Sequence, residues 1–355
     1  MTATGASEMI DWKLGVRLGT RVAGDGPRVS RAEADATVAE LRADAARSTG
    51  LVRDFTGLDA PEGTAPVLVV DRAGWIQANA DSFRTVLAPV VDKLGSTASR
   101  PPAGLGKAIG SKVTGVEVGG LLGFLAGKVL GQFDPFTSTT EAPHGRLLLV
   151  APNVVHVERE LGVDAGDFRL WVCLHEETHR VQFTANPWLR DHMLGQIGEL
   201  AQLTDAGTIR DDLVGRIAQI VKGDGPTGGS LIDLVTTPEQ RAILDGLTAV
   251  MSLLEGHADY VMDGVGPSVI PSVEAIRARF TERRKGIGAL DRLLRRLLGL
   301  DAKMAQYRDG AAFVRHVVDA LGMERFNTVW SGPDALPTLA EIHDPEAWIQ
   351  RVPGR

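Results

Sequence analysis

Apolar residues recur at three- and four-residue spacing from Ser30 to Leu51 and from Asp81 to Leu94, between turn-like segments, and this spacing predicts helices. Between them, Ala65–Val70 is a short apolar run that reads equally as a strand or as a helix start. Arg146–Val150 is a strand-like run ending at Ala151-Pro152-Asn153, and Asp167–Phe183 follows as a helix with a capping aspartate. Thr237-Pro238-Glu239-Gln240 combines an N-cap threonine, a proline at the first helical position and a capping-box glutamine. It predicts a helix running to about Met262, before Gly264. Pro271–Ala320 is again helical in period, and a tail carrying Pro333, Pro337 and Pro345 closes the chain. Gly223–Gly229 reads as a flexible linker.

Gly115, Gly119, Gly123, Gly127 and Gly131 fall at every fourth residue, which on one helix would make a smooth ridge. Each glycine costs about 1 kcal/mol against alanine inside a helix, so close packing must offset the set. A contact between helices of the same chain is the expectation, with a contact between copies in a homo-oligomer as the alternative. Glu117 and Lys128 interrupt the apolar stretch around this ridge, which argues against a membrane span.

Composition narrows the class. With 355 residues, 44% of them hydrophobic and 23% charged, the chain can bury a large core, and disorder throughout is excluded. The formal net charge of −7 has the wrong sign for a nucleic-acid coat. The single cysteine, Cys173, and a first segment without a basic-then-apolar leader lead to the expectation of a cytoplasmic protein.

The chemistry concentrates at His175-Glu176-Glu177-Thr178-His179, an H-E-x-x-H pattern inside an apolar helix. Four helical residues bring the two imidazoles one turn apart on one face, where they can grip a single metal ion. Glu176 lies beside them as a general base. A catalytic zinc usually takes three protein ligands, and Glu255 is the candidate for the third, because it sits in a second apolar helix where an unpaired carboxylate is costly. Asp259, one turn later on the same face, is placed to hold His175 through its other ring nitrogen. His257 is a rival ligand, but it is about 200° round the helix from Glu255 and is expected to stand behind the ligands or on the surface. Cys173 points away from the metal by the same argument and is expected to be buried filler. Mixed nitrogen and oxygen ligation suits Zn2+ best, while admitting cobalt, manganese or iron.

H-E-x-x-H followed by a separate helix with E-x-x-x-D resembles the gluzincin metallopeptidases, the thermolysin-like arrangement. That resemblance implies zinc on His175, His179 and Glu255, with Asp259 supporting them and Glu176 as base. A wider resemblance rests on W-V-C-L-H-E-E-T-H-R-V-Q-F, E-G-H-A-D-Y-V-M-D and G-L-D-A-K-M-A-Q-Y-R-D-G. These segments are similar to an uncharacterised bacterial zincin-like family linked to hydrolase or metalloprotease activity and to deazaflavin coenzyme biosynthesis.

Together these readings predict a mainly α protein with a small β component. Residues 1–140 would form a helical N-terminal region, added to a zincin-like catalytic domain over 141–355. The expected function is zinc-dependent hydrolysis of a peptide bond. A small non-peptide amide or ester is the alternative substrate, and a silent binding protein the alternative without turnover. Tyr307 is the expected oxyanion donor, chosen over Tyr260 and His316. Residues 274–308 hold ten basic and four acidic side chains, which reads as a solvated face, with an anionic-substrate site as the sharper alternative.

Overall fold

A computed structural model of the chain describes residues 10–61, 63–89, 91, 105–203, 237–285 and 300–352. The side chains of 105–110, 284–285 and 300–308, and with them that of Tyr307, lie outside this description, as does the glycine-rich segment 223–229.

The protein is mainly helical around a three-stranded sheet. Helix α1 (Trp12–Ala23) is capped by Asp11, whose carboxylate accepts from the Leu14 amide at 2.9 Å. Helix α2 (Arg31–Thr56) starts at the Ser30 cap and runs past the predicted end at Leu51, where the burial of Val52 and Thr56 holds its last turns. It stops at Gly57, which takes the left-handed conformation at φ 69°. The ambiguous apolar run becomes strand β1 (Val67–Val70). Helix α3 (Arg72–Val86) begins before the expected Asp81, since Asp71 caps it and the burial of Trp75 and Ile76 anchors its first turns.

The glycine series does not form one helix. Helix α4 (Leu105–Ala126) ends before Gly127, and Gly131 opens strand β2 (Gly131–Asp134). Gly115, Gly119 and Gly123 lie against Gly15 and Gly19 of α1 so closely that a Cβ on Gly119 would stand 2.5 Å from the Gly15 carbonyl oxygen. The ridge is therefore occupied within the chain. Strand β3 (Arg146–Val150) pairs in parallel with β1 and antiparallel with β2, giving the order β1-β3-β2 with β2 on an edge.

After α5 (Ala151–Leu161) comes α6 (Ala165–Ala185), which starts slightly earlier than predicted. Asp164, not Asp167, is its cap. Asp167 instead accepts from the Ser272 amide at 2.8 Å. Helix α7 (Trp188–Leu203) precedes α8 (Pro238–Val269), whose Thr237/Gln240 capping box forms as expected. Helix α8 does not end near Met262. Gly264 keeps it going, since Phe55 of α2 fills the place where a side chain would stand, and Pro267 is absorbed in its last turn. Helices α9 (Val273–Lys285) and α10 (Leu300–Leu321) follow, and the Pro-containing tail folds back to bury Trp348 against Phe313.

Strand β3 divides the core. Leu147 and Leu149 face one apolar cluster with residues of α2, α6, α8 and α10, while Leu148 and Val150 face a second with residues of α1, α3 and α4. A strand covered on both faces needs an unbroken apolar run, and Leu147–Val150 supplies it. Helix α6 thus lies under the sheet, beside edge strand β2 and across α8.

Candidate metal centre

Helix α6 carries His175 and His179 on consecutive turns, and their rings meet edge to face with centroids 4.9 Å apart. Their Nε2 atoms are 3.3 Å from one another. Glu255, from the middle of α8, brings Oε2 to 3.7 Å from His175 Nε2 and 3.8 Å from His179 Nε2. All three side chains are half-buried. Two imidazole nitrogens and a carboxylate oxygen form the donor set that zinc prefers. Ligands at about 2.0–2.1 Å around a tetrahedral ion stand roughly 3.3–3.4 Å apart, so these separations fit one ion.

Glu176 sits beside this triangle with 8% of its surface exposed. Burial, then the charges of Glu255 and Glu177, push its carboxyl up to about 8. Strand β2 presses on it: a Cβ on Gly131 would lie 2.5 Å from Glu176 Cγ. The second glutamate of the motif has a different task. Glu177 is fully buried, accepts from Arg180 Nε at 2.7 Å and Thr49 Oγ1 at 3.1 Å, and so ties α6 to α2. Cys173 is buried and donates to the Leu41 carbonyl at 3.5 Å, with desolvation pushing its thiol upward, as filler should.

Gln182 and His257 stand behind the triangle, His257 in one of the two places the sequence allowed it and Gln182 as a residue the sequence reading did not include. His179 Nδ1 is 2.9 Å from Gln182 Oε1, and Gln182 Nε2 is 2.9 Å from both the Leu254 carbonyl oxygen and His257 Nδ1. Both side chains are fully buried. Desolvation, with His179 nearby, holds His257 down to about 3. His257 thus reaches His179 only through Gln182. The signal for Gln182 was its i+3 spacing from His179, one turn along the same face.

Asp259 stands one turn beyond Glu255 on α8, half-buried. Tyr260 packs against Phe55 with ring centroids 5.9 Å apart, and His316 pairs with Glu346 on the surface. Neither is among the described residues that line the cavity at the triangle. This cavity, of about 290 Å³, is bounded by His175, Glu176, His179 and Glu255 and walled by apolar side chains including Phe133, Phe136, Phe183, Met193, Met251 and Leu254. The described part of the basic run is engaged elsewhere: Arg277 pairs with Asp263, Arg279 binds the Leu161 and Gly162 carbonyls, and Arg283 pairs with Glu160.

A family model for zincin-like metallopeptidases matches residues 10–349. A protein from Chloroflexus aurantiacus with a known crystal structure, described as a candidate hydrolase with a novel fold, is 34% identical. It superimposes with a TM-score of 0.68 over 97% of this chain and 98% of that one. No curated protein matches the sequence. Among the described residues, no helix is long and apolar enough to cross a membrane.

Proposed function

The chain belongs to the zincin-like metallopeptidase family, and from that premise we propose that it is a zinc-dependent hydrolase of peptide or related amide bonds, with His175, His179 and Glu255 holding the ion. One observation carries this reading: the donor atoms of these residues, from two helices far apart in sequence, lie within 4.8 Å of one another in the lining of a cavity. The ligand set is of the gluzincin type.

Zinc held by these three residues would supply a Lewis acid for a carbonyl oxygen and make water a nucleophile near neutral pH. Glu176 is the general base in this reading. Its carboxylate takes one proton from the attacking water and returns it to the departing amine as the C–N bond breaks. Its place supports the role, because it lines the cavity beside His175, His179 and Glu255 and strand β2 presses it there. Asp259 is proposed to steady His175, which lies across from the same face of α8. Tyr307 is proposed as the donor to the oxyanion. It precedes Gly310 on α10, and Gly310 packs against Gly256 beside Glu255. The apolar cavity wall suits a substrate that presents an uncharged, apolar group next to the scissile bond.

Elemental analysis of the purified chain, with hydrolysis of a quenched fluorescent peptide panel and a parallel panel of small amides and esters, tests the proposal. Glu176→Gln is expected to keep zinc and lose at least about 10²-fold in turnover. Glu255→Ala is expected to lose the zinc. A chain that takes up no metal, or Glu176→Gln with native turnover, overturns the reading. Turnover confined to the small-molecule panel replaces the peptide by a small amide or ester.

A further inference from the structure

Metal-binding histidines work only when the ligating nitrogen is free of its proton, and the group on the other nitrogen decides this. At His179 that group is the Gln182 side chain, a primary amide that can present either an acceptor or a donor. Its direction is set from behind. The Leu254 carbonyl can only accept, so the amide end 2.9 Å from it is the NH2 group. The other end is then the carbonyl, which can only accept, and the His179 nitrogen 2.9 Å from it must carry a hydrogen. That leaves the proton-free nitrogen of His179 to be Nε2, the atom that faces His175 and Glu255.

The second amide hydrogen goes to His257 Nδ1, which therefore accepts, and the ring proton of His257 stands on Nε2. The structure bears a mark of this arrangement. His257 Nε2 is buried without a hydrogen-bond partner, with the ring stacked on Phe326 at 5.6 Å and edge-on to Trp330 at 5.5 Å. An unpaired buried N–H is unfavourable, and fixing the amide is what the arrangement gains.

Resting on the zinc reading above, we infer that Gln182 is a positioning residue that sets His179 in its Nδ1–H form before any metal arrives, with Leu254 and His257 fixing the direction of its amide. The usual carboxylate or backbone carbonyl behind a ligand histidine is replaced here by a side-chain carbonyl, which adds no charge to the buried site.

Nitrogen-15 NMR of the full chain, histidine-labelled and metal-free, reads the tautomers directly, with His179→Ala and His257→Phe assigning the signals. The expected result is His179 protonated on Nδ1 and His257 on Nε2. His179 protonated on Nε2 overturns the inference whether or not zinc binds. Zinc affinity, measured by chelator competition with helicity monitored by circular dichroism, gives the second readout. Gln182→Met removes the acceptor at similar size and is expected to weaken zinc about 10–100-fold with helicity retained. Gln182→Glu restores an acceptor for His179. Its other oxygen faces the Leu254 carbonyl, which can only accept, and so must carry a proton, and zinc affinity is expected to stay within a few-fold of native. A native chain that binds zinc, with Gln182→Met binding it equally well, overturns the positioning role and leaves the zinc reading standing. A native chain that binds none overturns the zinc reading, and the tautomers still decide the positioning of His179.

Discussion

Gly131→Ala tests whether strand β2 sets the position of Glu176. Gly131 opens β2 opposite Leu149, with an ordinary negative φ, so alanine brings no backbone strain and acts only through its methyl group. That methyl would lie 2.5 Å from Glu176 Cγ, 2.8 Å from Cδ and 3.0 Å from Oε1. Carbon atoms settle at about 3.5–4.0 Å, so the glutamate must retreat by roughly 1 Å. A misplacement of that size costs on the order of 10²-fold in rate, within the 10²–10⁴-fold that a general base contributes altogether. His175, His179 and Glu255 stand on helices that do not include this residue, so zinc affinity is expected to remain within about two-fold of native. Gly127→Ala is the control, since its added methyl meets only the Phe124 carbonyl oxygen at 3.8 Å, an ordinary contact. Initial rates on the best peptide from the panel, with chelator competition for zinc, provide the measurement. Native turnover in Gly131→Ala with full zinc occupancy would refute the claim that this strand holds the base. Parallel loss of zinc would show that the strand bears on the histidine pair instead.

Two further outcomes follow from other parts of the fold. Asp44 has a buried Oδ2 without a hydrogen-bond partner, and burial, then Glu40, raise its pKa from 3.8 to about 6 against the pull of Arg47 and Arg169. The folded protein therefore binds this proton more tightly than the unfolded chain, so the contribution is complete below pH 3.8 and is lost as pH rises through about 6. Asp44→Asn should melt at a higher temperature than native at pH 8 and no higher at pH 3.5, and an equal gain at both values would exclude the linkage. Gly119→Leu places a side chain where the Gly15 carbonyl oxygen lies 2.5 Å from the Cβ position, and is expected to destabilise by about 1–3 kcal/mol or more. Chelator competition should find its zinc affinity unchanged, because α1 and α4 pack on the face of β3 opposite α6 and α8; a native melting temperature would show that the two helices are not in tight contact.

Local relationships were legible in the sequence. The spacing of His175 and His179 places them on one helical face wherever that helix goes, since 3.6 residues make a turn. The Thr237/Gln240 box and the apolar run of β3 are likewise complete within a few residues, and both form as read. The zincin-like family and the mainly helical class followed from such short segments. Strand β2 was not legible. Four residues are too few to show a period of two, and Gly131 continued a spacing that began in a helix.

Only the tertiary structure decided which distant groups meet. Glu255 stands beside the histidine pair, Gln182 bridges His179 to His257, Glu177 is held by Arg180 and Thr49, and the ridge of α4 is covered by α1 rather than left bare. Each depends on how two elements cross, and a crossing leaves no mark in the spacing of either one. A buried polar side chain must find a partner, but its own sequence does not say where on the chain that partner lies.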